Sequence, residues 1–171
     1  MRIPGRIERM QNEPLVLLDG AHNPQKMEAL TSNLIRLAPV GPGGLRTAVF
    51  GALDSKNHLE MLNLLCPFVD RFIFTTPMVL GKRGSSPADL VIHAQTIGFA
   101  GEILEFGDPS TAIAAAMDIS RPVDAVVVTG SMYLVGNARE RWHKTEDIVV
   151  QRTPWPVNRD GSLRRGTRRD R

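Results

Sequence analysis

Short apolar runs alternate with segments of helical periodicity along most of this chain, and this order is the feature that most restricts its fold. The runs are rich in β-branched residues and are bounded by Gly or Pro, which indicates strands covered on both faces. Helices between such strands connect them in parallel, so the pattern predicts an α/β fold: a Rossmann-like, mostly parallel sheet with helices on both faces. The predicted strands are 15–19, 47–53, 71–76, 102–106 and 124–130, and the predicted helices are 24–38, 57–69, 87–99, 109–120 and 132–144.

The chain length and the distribution of charge predict one folded domain followed by a basic tail. A chain of 171 residues with 42% hydrophobic content can bury the core of one ordinary domain and hardly of two. The net charge is +3, but residues 151–171 hold seven Arg against two Asp, so this tail carries +5 and residues 1–150 carry −2. We therefore expect a domain over 1–150 and a largely disordered tail over 151–171. The tail is either a solvated extension or a nucleic-acid arm; we favour the extension and expect no nucleic-acid partner.

The sequence contains no stretch that resembles a membrane span or a secretion signal. A membrane helix needs about 18 or more consecutive apolar residues. The N-terminal segment MRIPGRIERM has neither the apolar core nor the cleavage site of a signal peptide. The sequence therefore predicts a cytoplasmic protein without membrane association.

Polar side chains follow three of the predicted strands at the point where each strand ends. Asp19 and His22 follow the first strand, Lys56 follows the second, and Ser131 follows the last. Because parallel strands end on the same side of a sheet, we expect these groups to converge. If the first and last strands are neighbours, His22 and Ser131 point into one pocket. Ammonium and hydroxyl groups beside helix N-termini suit a carboxylate or a phosphate, and a carboxylate suits ribose hydroxyls or metal-bound water, so we predict a site for a small anionic ligand.

Helix capping is the alternative role for the acidic and amide side chains of the DGAHNP segment. Pro24 is placed where a first helical turn tolerates proline, so a helix is expected to begin there. Asp and Asn before a helix accept hydrogen bonds from its free backbone N–H groups. We expect Asn23 to cap this helix, and both a capping and a ligand-facing role stay open for Asp19.

Several motifs of nucleotide and metal chemistry are absent from the sequence. There is no G-x-x-x-x-G-K-[ST] phosphate loop, and no G-x-G-x-x-G segment follows the first strand. The Cys and His residues do not show zinc-ligand spacing. The sequence therefore predicts no metal site and no catalytic residue within this chain.

Four short motifs follow one another along the chain: PGRIE (4–8), LLDGAHNP (17–24), FGALDSK (50–56) and TGSMYLVGNAR (129–139). In this order they resemble the C-terminal domain of folylpolyglutamate synthase/dihydrofolate synthase, a branch of the Mur ligase family. The family joins an amino acid to a carboxylate through an acyl phosphate made with ATP and magnesium. The resemblance implies that glutamate is added to a folate or dihydropteroate-type carboxylate.

The resemblance also implies a division of labour between domains. In this family a central ATPase domain holds the phosphate loop and the magnesium ion, and the C-terminal domain closes over it with the incoming amino acid. The ATPase domain, in cis or in trans, is thus an implied partner, and residues 1–10 correspond to an interdomain linker. We expect the chain alone to be inactive. The alternative is a non-catalytic small-ligand-binding module derived from this domain.

The resemblance assigns roles to individual residues. Arg6 resembles the linker arginine that reaches the ATP phosphates, and Asp19 resembles the acid that faces the nucleotide. His22 and Ser131 resemble residues that line the incoming glutamate site. Lys56 resembles the lysine of the family's Asp-Lys-Asp loop, which here reads DSKN. None of these is a nucleophile, because the substrate amine attacks and the protein supplies position and charge.

Overall fold

The structure is a computed structural model that describes residues 3–157. These residues form one six-stranded sheet with helices on both faces, which confirms the predicted α/β fold. The strands are β1 (Glu8–Asn12), β2 (Leu15–Leu18), β3 (Arg46–Phe50), β4 (Arg71–Thr75), β5 (Glu102–Phe106) and β6 (Ala125–Thr129). The helices are α1 (Pro24–Thr31), α2 (Leu34–Leu37), α3 (His58–Leu65), α4 (Pro87–Thr96), α5 (Pro109–Ile119), α6 (Met132–Arg139) and α7 (Thr145–Gln151), with a 3₁₀ turn at Cys66–Phe68.

The five predicted strands correspond to β2 to β6, and they lie in the parallel part of the sheet. The strand order is β1-β2-β6-β3-β4-β5. β2 and β6 pair in parallel with Leu15 opposite Ala125 and Leu18 opposite Val128. The first and last predicted strands are therefore neighbours, as the prediction of a shared pocket requires.

Two elements were not predicted from the sequence. β1 pairs antiparallel with β2 and is the outermost strand of the sheet. Its sequence, ERMQN, is polar, and only Glu8 in it is buried, so it lacks the apolar alternation by which strands are recognised. α7 follows a turn after α6 and has no buried residue, so it too carries no core-facing pattern.

Most of the described helices begin at side chains that cap their free N–H groups. The Asn23 side chain accepts a hydrogen bond from the Lys26 N–H (2.9 Å), which confirms the expected cap of α1. All five predicted helices are shorter in the structure: 24–38 is divided into α1 and α2, 57–69 ends in the 3₁₀ turn, and 87–99, 109–120 and 132–144 end earlier, at Thr96, Ile119 and Arg139. Side-chain caps also begin four other helices, at Asn57, Ser86, Asp108 and Ser131.

The sheet divides the hydrophobic core into two layers. Alternate residues of each central strand face opposite layers, so Leu17 and Val127 lie on one side and Leu18 and Val128 on the other. Helices α1 to α4 cover the first layer, and α5 and α6 cover the second. Because both faces are covered, the strands read as continuous apolar runs in the sequence.

At the amino end of the parallel strands, a buried carboxylate is hydrogen-bonded by backbone N–H groups and an arginine. Asp124, just before β6, is 3% exposed and accepts hydrogen bonds from the backbone N–H groups of Leu45 (2.8 Å) and Arg121 (2.7 Å). The Arg121 guanidinium also pairs with this carboxylate at 2.9 Å. Burial raises the pKa of Asp124, but the hydrogen bonds from Arg121 and the backbone outweigh it and bring the pKa to about 2.

The chain beyond α7 lies against the body of the domain as far as it is described. Trp155 donates from its indole N–H to the Glu8 carboxylate (2.9 Å), and the Pro154 carbonyl accepts from Arg139 (2.7 Å). The sequence predicted a largely disordered tail from residue 151, whereas Pro154 and Trp155 within that range contact the body of the domain. Residues 158–171 lie outside the described residues, so the prediction for them stays a prediction. Within residues 3–157, no helix has the length and apolar character needed to cross a lipid bilayer.

Candidate functional site

The candidate site lies where β2 and β6 end side by side. The Asp19 N–H donates to the Val128 carbonyl (3.0 Å), and the Gly130 N–H donates to the Ala21 carbonyl (3.0 Å). These two backbone bonds continue the pairing of the strands past their last residues. His22 and Ser131 therefore follow the ends of neighbouring strands, and that their side chains share one pocket stays a prediction.

A tight turn of the N-terminal segment closes one side of the site. The Gly20 N–H donates to the Gly5 carbonyl (2.8 Å), and the Ile7 N–H donates to the Asp19 carboxylate (3.0 Å). Arg6 lies between these two anchors, and its side chain is exposed. The turn therefore presents the Arg6 guanidinium to solvent beside the end of β2.

The backbone of this turn is strained at Ile7. Its φ is +46°, in the left-handed region that a β-branched residue rarely adopts. Such a conformation costs about 1–3 kcal/mol and persists only where the surroundings impose it. The hydrogen bond from the Ile7 N–H to Asp19 is one of the contacts that hold it.

Asp19 is a half-buried carboxylate that binds backbone on both sides. One oxygen accepts from the Ile7 N–H, and the other accepts from the Ala21 N–H at 2.9 Å. Burial raises the pKa of Asp19, and these N–H groups and the Arg6 charge offset only part of that effect. Asp19 does not cap α1, because Asn23 does so, and its bonds tie the N-terminal turn to the end of β2.

His22 is held in one tautomer by a carbonyl and an ammonium group. Its Nδ1 lies 2.8 Å from the Gly20 carbonyl, which can only accept, so Nδ1 carries the proton. Its Nε2 lies 3.0 Å from the Lys26 Nζ, which can only donate. In this tautomer Nε2 accepts from the Lys26 ammonium and orients it. Sequence reasoning missed Lys26, although its position four residues after His22, in the first turn of a helix, was the signal.

Ser131 is buried, with 2% of its surface exposed. Its hydroxyl oxygen accepts from the Tyr133 N–H at 3.1 Å and caps α6. The hydroxyl therefore serves the helix N-terminus, and it retains its own O–H for a further acceptor.

Three of the predicted site residues line two different cavities. A cavity of about 170 Å³ is lined by Arg6, Asp19 and Lys26, among others. Lys56 lines a different cavity of about 420 Å³, beside His58 and the first turn of α3. The structure therefore groups the two predicted nucleotide-facing residues with the Lys26–His22 pair, and it places Lys56 apart from them.

Neither cavity has the ligands of a metal centre. In the part of the chain that the structure describes, no group of three or more His, Cys, Asp or Glu side chains is arranged to hold a metal ion. The imidazoles of His58 and His93 face each other in the larger cavity with ring centroids 5.7 Å apart. His58 also bonds the Leu53 carbonyl at 2.8 Å, so its role there is packing and hydrogen bonding.

The mostly parallel sheet with helices on both faces defines a Rossmann-like α/β domain, and cationic side chains line a cavity beyond the carboxyl end of its strands. More particularly, the chain belongs to the Mur ligase family: the family model described as "Mur ligase, glutamate ligase domain" matches residues 5–132. This membership confirms the family resemblance carried by the four sequence motifs.

Individual relatives agree with this assignment. The chain is 36% identical over 154 residues to a probable bifunctional folylpolyglutamate synthase/dihydropteroate synthase of Haloferax volcanii, covering 88% of this chain and 17% of the relative. It resembles a bifunctional folylpolyglutamate synthase/dihydrofolate synthase from Yersinia pestis, solved with AMPPNP and Mn, with a TM-score of 0.69 and 30% identity over 81% of this chain and 31% of that one. A structure of a synthase of the same name with Mn, AMPPNP and L-glutamate gives a TM-score of 0.66 and 32% identity, covering 81% and 31%. The chain thus spans less than a third of the length of these relatives.

Proposed function

We propose that this chain is the amino-acid-binding and cleft-closing domain of an ATP-dependent ligase that adds glutamate to a folate or dihydropteroate-type carboxylate through an acyl phosphate. One observation carries the proposal: the strands that His22 and Ser131 follow end side by side, and Lys26, which contacts His22, lines the cavity of Arg6 and Asp19. A ligase of this kind needs an amino-acid carboxylate and a phosphate to meet at one place. The adjacency of the two groups of residues supplies that arrangement.

The nucleotide-facing part of the proposed site is cationic. The exposed Arg6 guanidinium and the half-buried Lys26 ammonium line the same cavity as Asp19. Guanidinium and ammonium groups are the usual partners of phosphate oxygens, so these residues fit ATP phosphates brought by a second domain. Asp19 acts on the nucleotide through the turn that it holds, since both of its oxygens already accept backbone N–H groups.

The amino-acid part of the proposed site consists of His22 and Ser131. The His22 imidazole orients the Lys26 ammonium, which in this proposal serves both the phosphate and the amino-acid carboxylate, and the Ser131 O–H donates to that carboxylate. Lys56 remains part of the proposal as a cation on the neighbouring loop, in a separate cavity. The attacking group is the amine of the incoming glutamate, and these side chains supply position and charge.

ATP and magnesium are proposed to be held mainly by an ATPase domain, in cis or in trans. The magnesium ion is assigned to that domain because the family resemblance implies it. ATP as cofactor, residues 1–10 as the interdomain linker and a cytoplasmic location belong to the same proposal. The chain alone is expected to release no ADP, because it lacks a phosphate loop.

The test measures ADP release that depends on both glutamate and dihydropteroate. The chain is assayed alone and fused to the preceding part of the Yersinia relative, which supplies the missing length. We expect activity only in the fusion. His22→Ala is expected to raise the glutamate KM by about tenfold or more, the typical effect of losing a hydrogen bond to a charged group. Arg36→Met, which alters an exposed cation on α2, is the control and should leave the KM unchanged.

Each part of the proposal has an outcome that contradicts it. ADP release by the chain alone would refute the need for an ATPase domain. A His22→Ala fusion with unaltered glutamate kinetics would refute the amino-acid site. Tight binding of glutamate or a folate to the chain, without turnover in any fusion, would favour the alternative of a non-catalytic binding module.

A further inference from the structure

The C-terminal segment that follows α7 covers a buried ion pair. Glu8 and Arg139 are 6% and 8% exposed, and the guanidinium of Arg139 binds both oxygens of the Glu8 carboxylate at 2.8 and 2.9 Å. Trp155 donates its indole N–H to the same carboxylate at 2.9 Å, and the carbonyl of Pro154 accepts from Nη2 of Arg139 at 2.7 Å. The segment therefore adds one hydrogen bond to each of the two charged groups.

The Glu8 carboxylate is the point where three distant parts of the chain meet. It accepts from Arg139 of α6, from Trp155 of the C-terminal segment and from the backbone N–H of Gly5 at 2.7 Å. Burial raises the pKa of Glu8, but the Arg139 and Gly5 hydrogen bonds outweigh it, so the pKa lies below its ordinary value. The carboxylate is therefore ionised, and it is satisfied only while all three parts are in place.

The Glu8 carboxylate is linked to Arg6 by a single residue, Gly5, which hydrogen-bonds Glu8 and directly precedes Arg6 in the chain. The N–H of Gly5 binds Glu8, and the carbonyl of Gly5 accepts from Gly20 at 2.8 Å. Gly5 is also packed so tightly that an added Cβ would lie 2.7 Å from a Val135 methyl group, and its φ is +69°. The residue before Arg6 is thus fixed by the ion pair on one side and by the end of β2 on the other.

We propose that Trp155 is a positioning residue, which latches the Glu8–Arg139 pair and thereby fixes the turn that presents Arg6. Trp155 and Arg139 both lie beyond residues 5–132, the region that the family model matches. The relevance of this latch to catalysis rests on the proposed function of Arg6. The latch itself is a property of the chain and does not depend on ligase activity.

A second tryptophan provides a matched control. Trp142 also donates its indole N–H to the β1 strand, to the Gln11 side chain at 3.2 Å, and it is 2% exposed. Trp142→Phe and Trp155→Phe each remove one indole donor from β1 and keep an aromatic ring. Only Trp155→Phe removes a donor from Glu8.

The experiment measures amide hydrogen exchange by NMR on the whole chain and its two variants. The loss of a hydrogen bond to a charged group changes an equilibrium constant by about tenfold or more. Trp155→Phe should therefore raise the exchange rate of the Gly5 N–H by that factor. The N–H of Val127, in the central strand β6, should exchange at the parent rate in both variants. Limited trypsin digestion should show faster cleavage after Arg6 in Trp155→Phe, and parent-like cleavage there in Trp142→Phe.

Parent-like Gly5 exchange in Trp155→Phe would overturn the latch, as would equal acceleration by the two variants. Faster Val127 exchange in Trp155→Phe would also overturn it, since the effect would then be global. The ligase fusion separates this proposal from the earlier one: Trp155→Phe should raise the ATP KM and leave the glutamate KM unchanged. If Arg6→Met leaves ligation unaltered while Trp155→Phe loosens the turn, the latch stands and the proposed role of Arg6 fails.

Discussion

Asp19 and Asp124 lie at opposite ends of the neighbouring strands β2 and β6, and their surroundings differ in kind. Asp124 accepts from two backbone N–H groups and from the full charge of Arg121, and its pKa falls to about 2. Asp19 also accepts from two backbone N–H groups, but no cation pairs with it directly, and burial raises its pKa. The decisive difference is therefore the bound guanidinium.

The comparison indicates what each end of the sheet contributes. A buried carboxylate whose loss of hydration is fully offset by hydrogen bonds and an ion pair stabilises the fold. Asp124, at the amino end of the parallel strands, is such a carboxylate. A carboxylate that is only partly compensated costs stability and is a common feature of functional sites. At the carboxyl end, Asp19 holds a strained turn that carries the exposed Arg6, so the candidate site and the stabilising network of Asp124 lie at opposite ends of the parallel strands.

The largest effect is expected from Asp124→Ala. The change leaves the N–H groups of Leu45 and Arg121 without their acceptor, and it frees the Arg121 guanidinium. We expect the free energy of unfolding, measured by urea denaturation, to fall by about 2–4 kcal/mol. Asp118→Ala removes an exposed acid on α5 and should change it by less than about 0.5 kcal/mol. Equal effects of the two changes would contradict the assigned role of Asp124.

A smaller effect is expected from acid. The folded-state pKa of Asp124 is about 2 and the ordinary value is 3.8, so its ionised form stabilises the fold above pH 3.8 and this contribution is lost as the pH falls toward 2. Because Arg121 is 57% exposed, solvent screening reduces the contribution to about 1–2 kcal/mol. Asp124→Asn should lack this part of the pH dependence. An unchanged acid-unfolding curve would show that other carboxylates dominate it.

The smallest effect is expected from Asp19→Asn. The raised folded-state pKa means that the folded protein binds this proton more tightly than the unfolded chain, so the stability contributed by Asp19 falls as the pH rises through that pKa. Asparagine removes the charge but keeps one acceptor oxygen, and we expect a net change within about 1 kcal/mol at pH 7. Asp19→Ala, which removes both acceptors, should cost more. Thermal unfolding followed from about pH 2 to about pH 7, which covers the lowered pKa of Asp124 and the ordinary carboxyl value, would reveal the opposite slopes of Asp124 and Asp19.

The sequence was sufficient to predict the features that depend on local patterns. Strands β2, β3, β4 and β6 are buried on both faces and therefore read as mostly apolar runs, and their parallel order places His22 and Ser131 after the ends of neighbouring strands. The Asn23 cap followed from the proline after it. The sequence could thus predict the parallel sheet, the helix that follows its first predicted strand and the polar residues at the strand ends.

The remaining features depend on contacts between residues far apart in the chain. The bond from Trp155 to Glu8 joins positions 147 residues apart, and no periodicity records it. β1 was missed because its polar sequence gives no strand signal. Lys56 follows the strand β3, yet it lines a separate cavity, because the direction of a side chain depends on loop geometry and not on chain order.

The position of β1 has a consequence for solubility. This strand covers the open backbone of β2, whose four residues LVLL are all buried. If β1 detached, the unpaired N–H and C=O groups of an apolar strand would become a template for other chains. The N-terminal segment that contains β1 therefore also protects the domain against aggregation. Replacing Glu8 should cause precipitation on mild heating as well as a more mobile N-terminal turn.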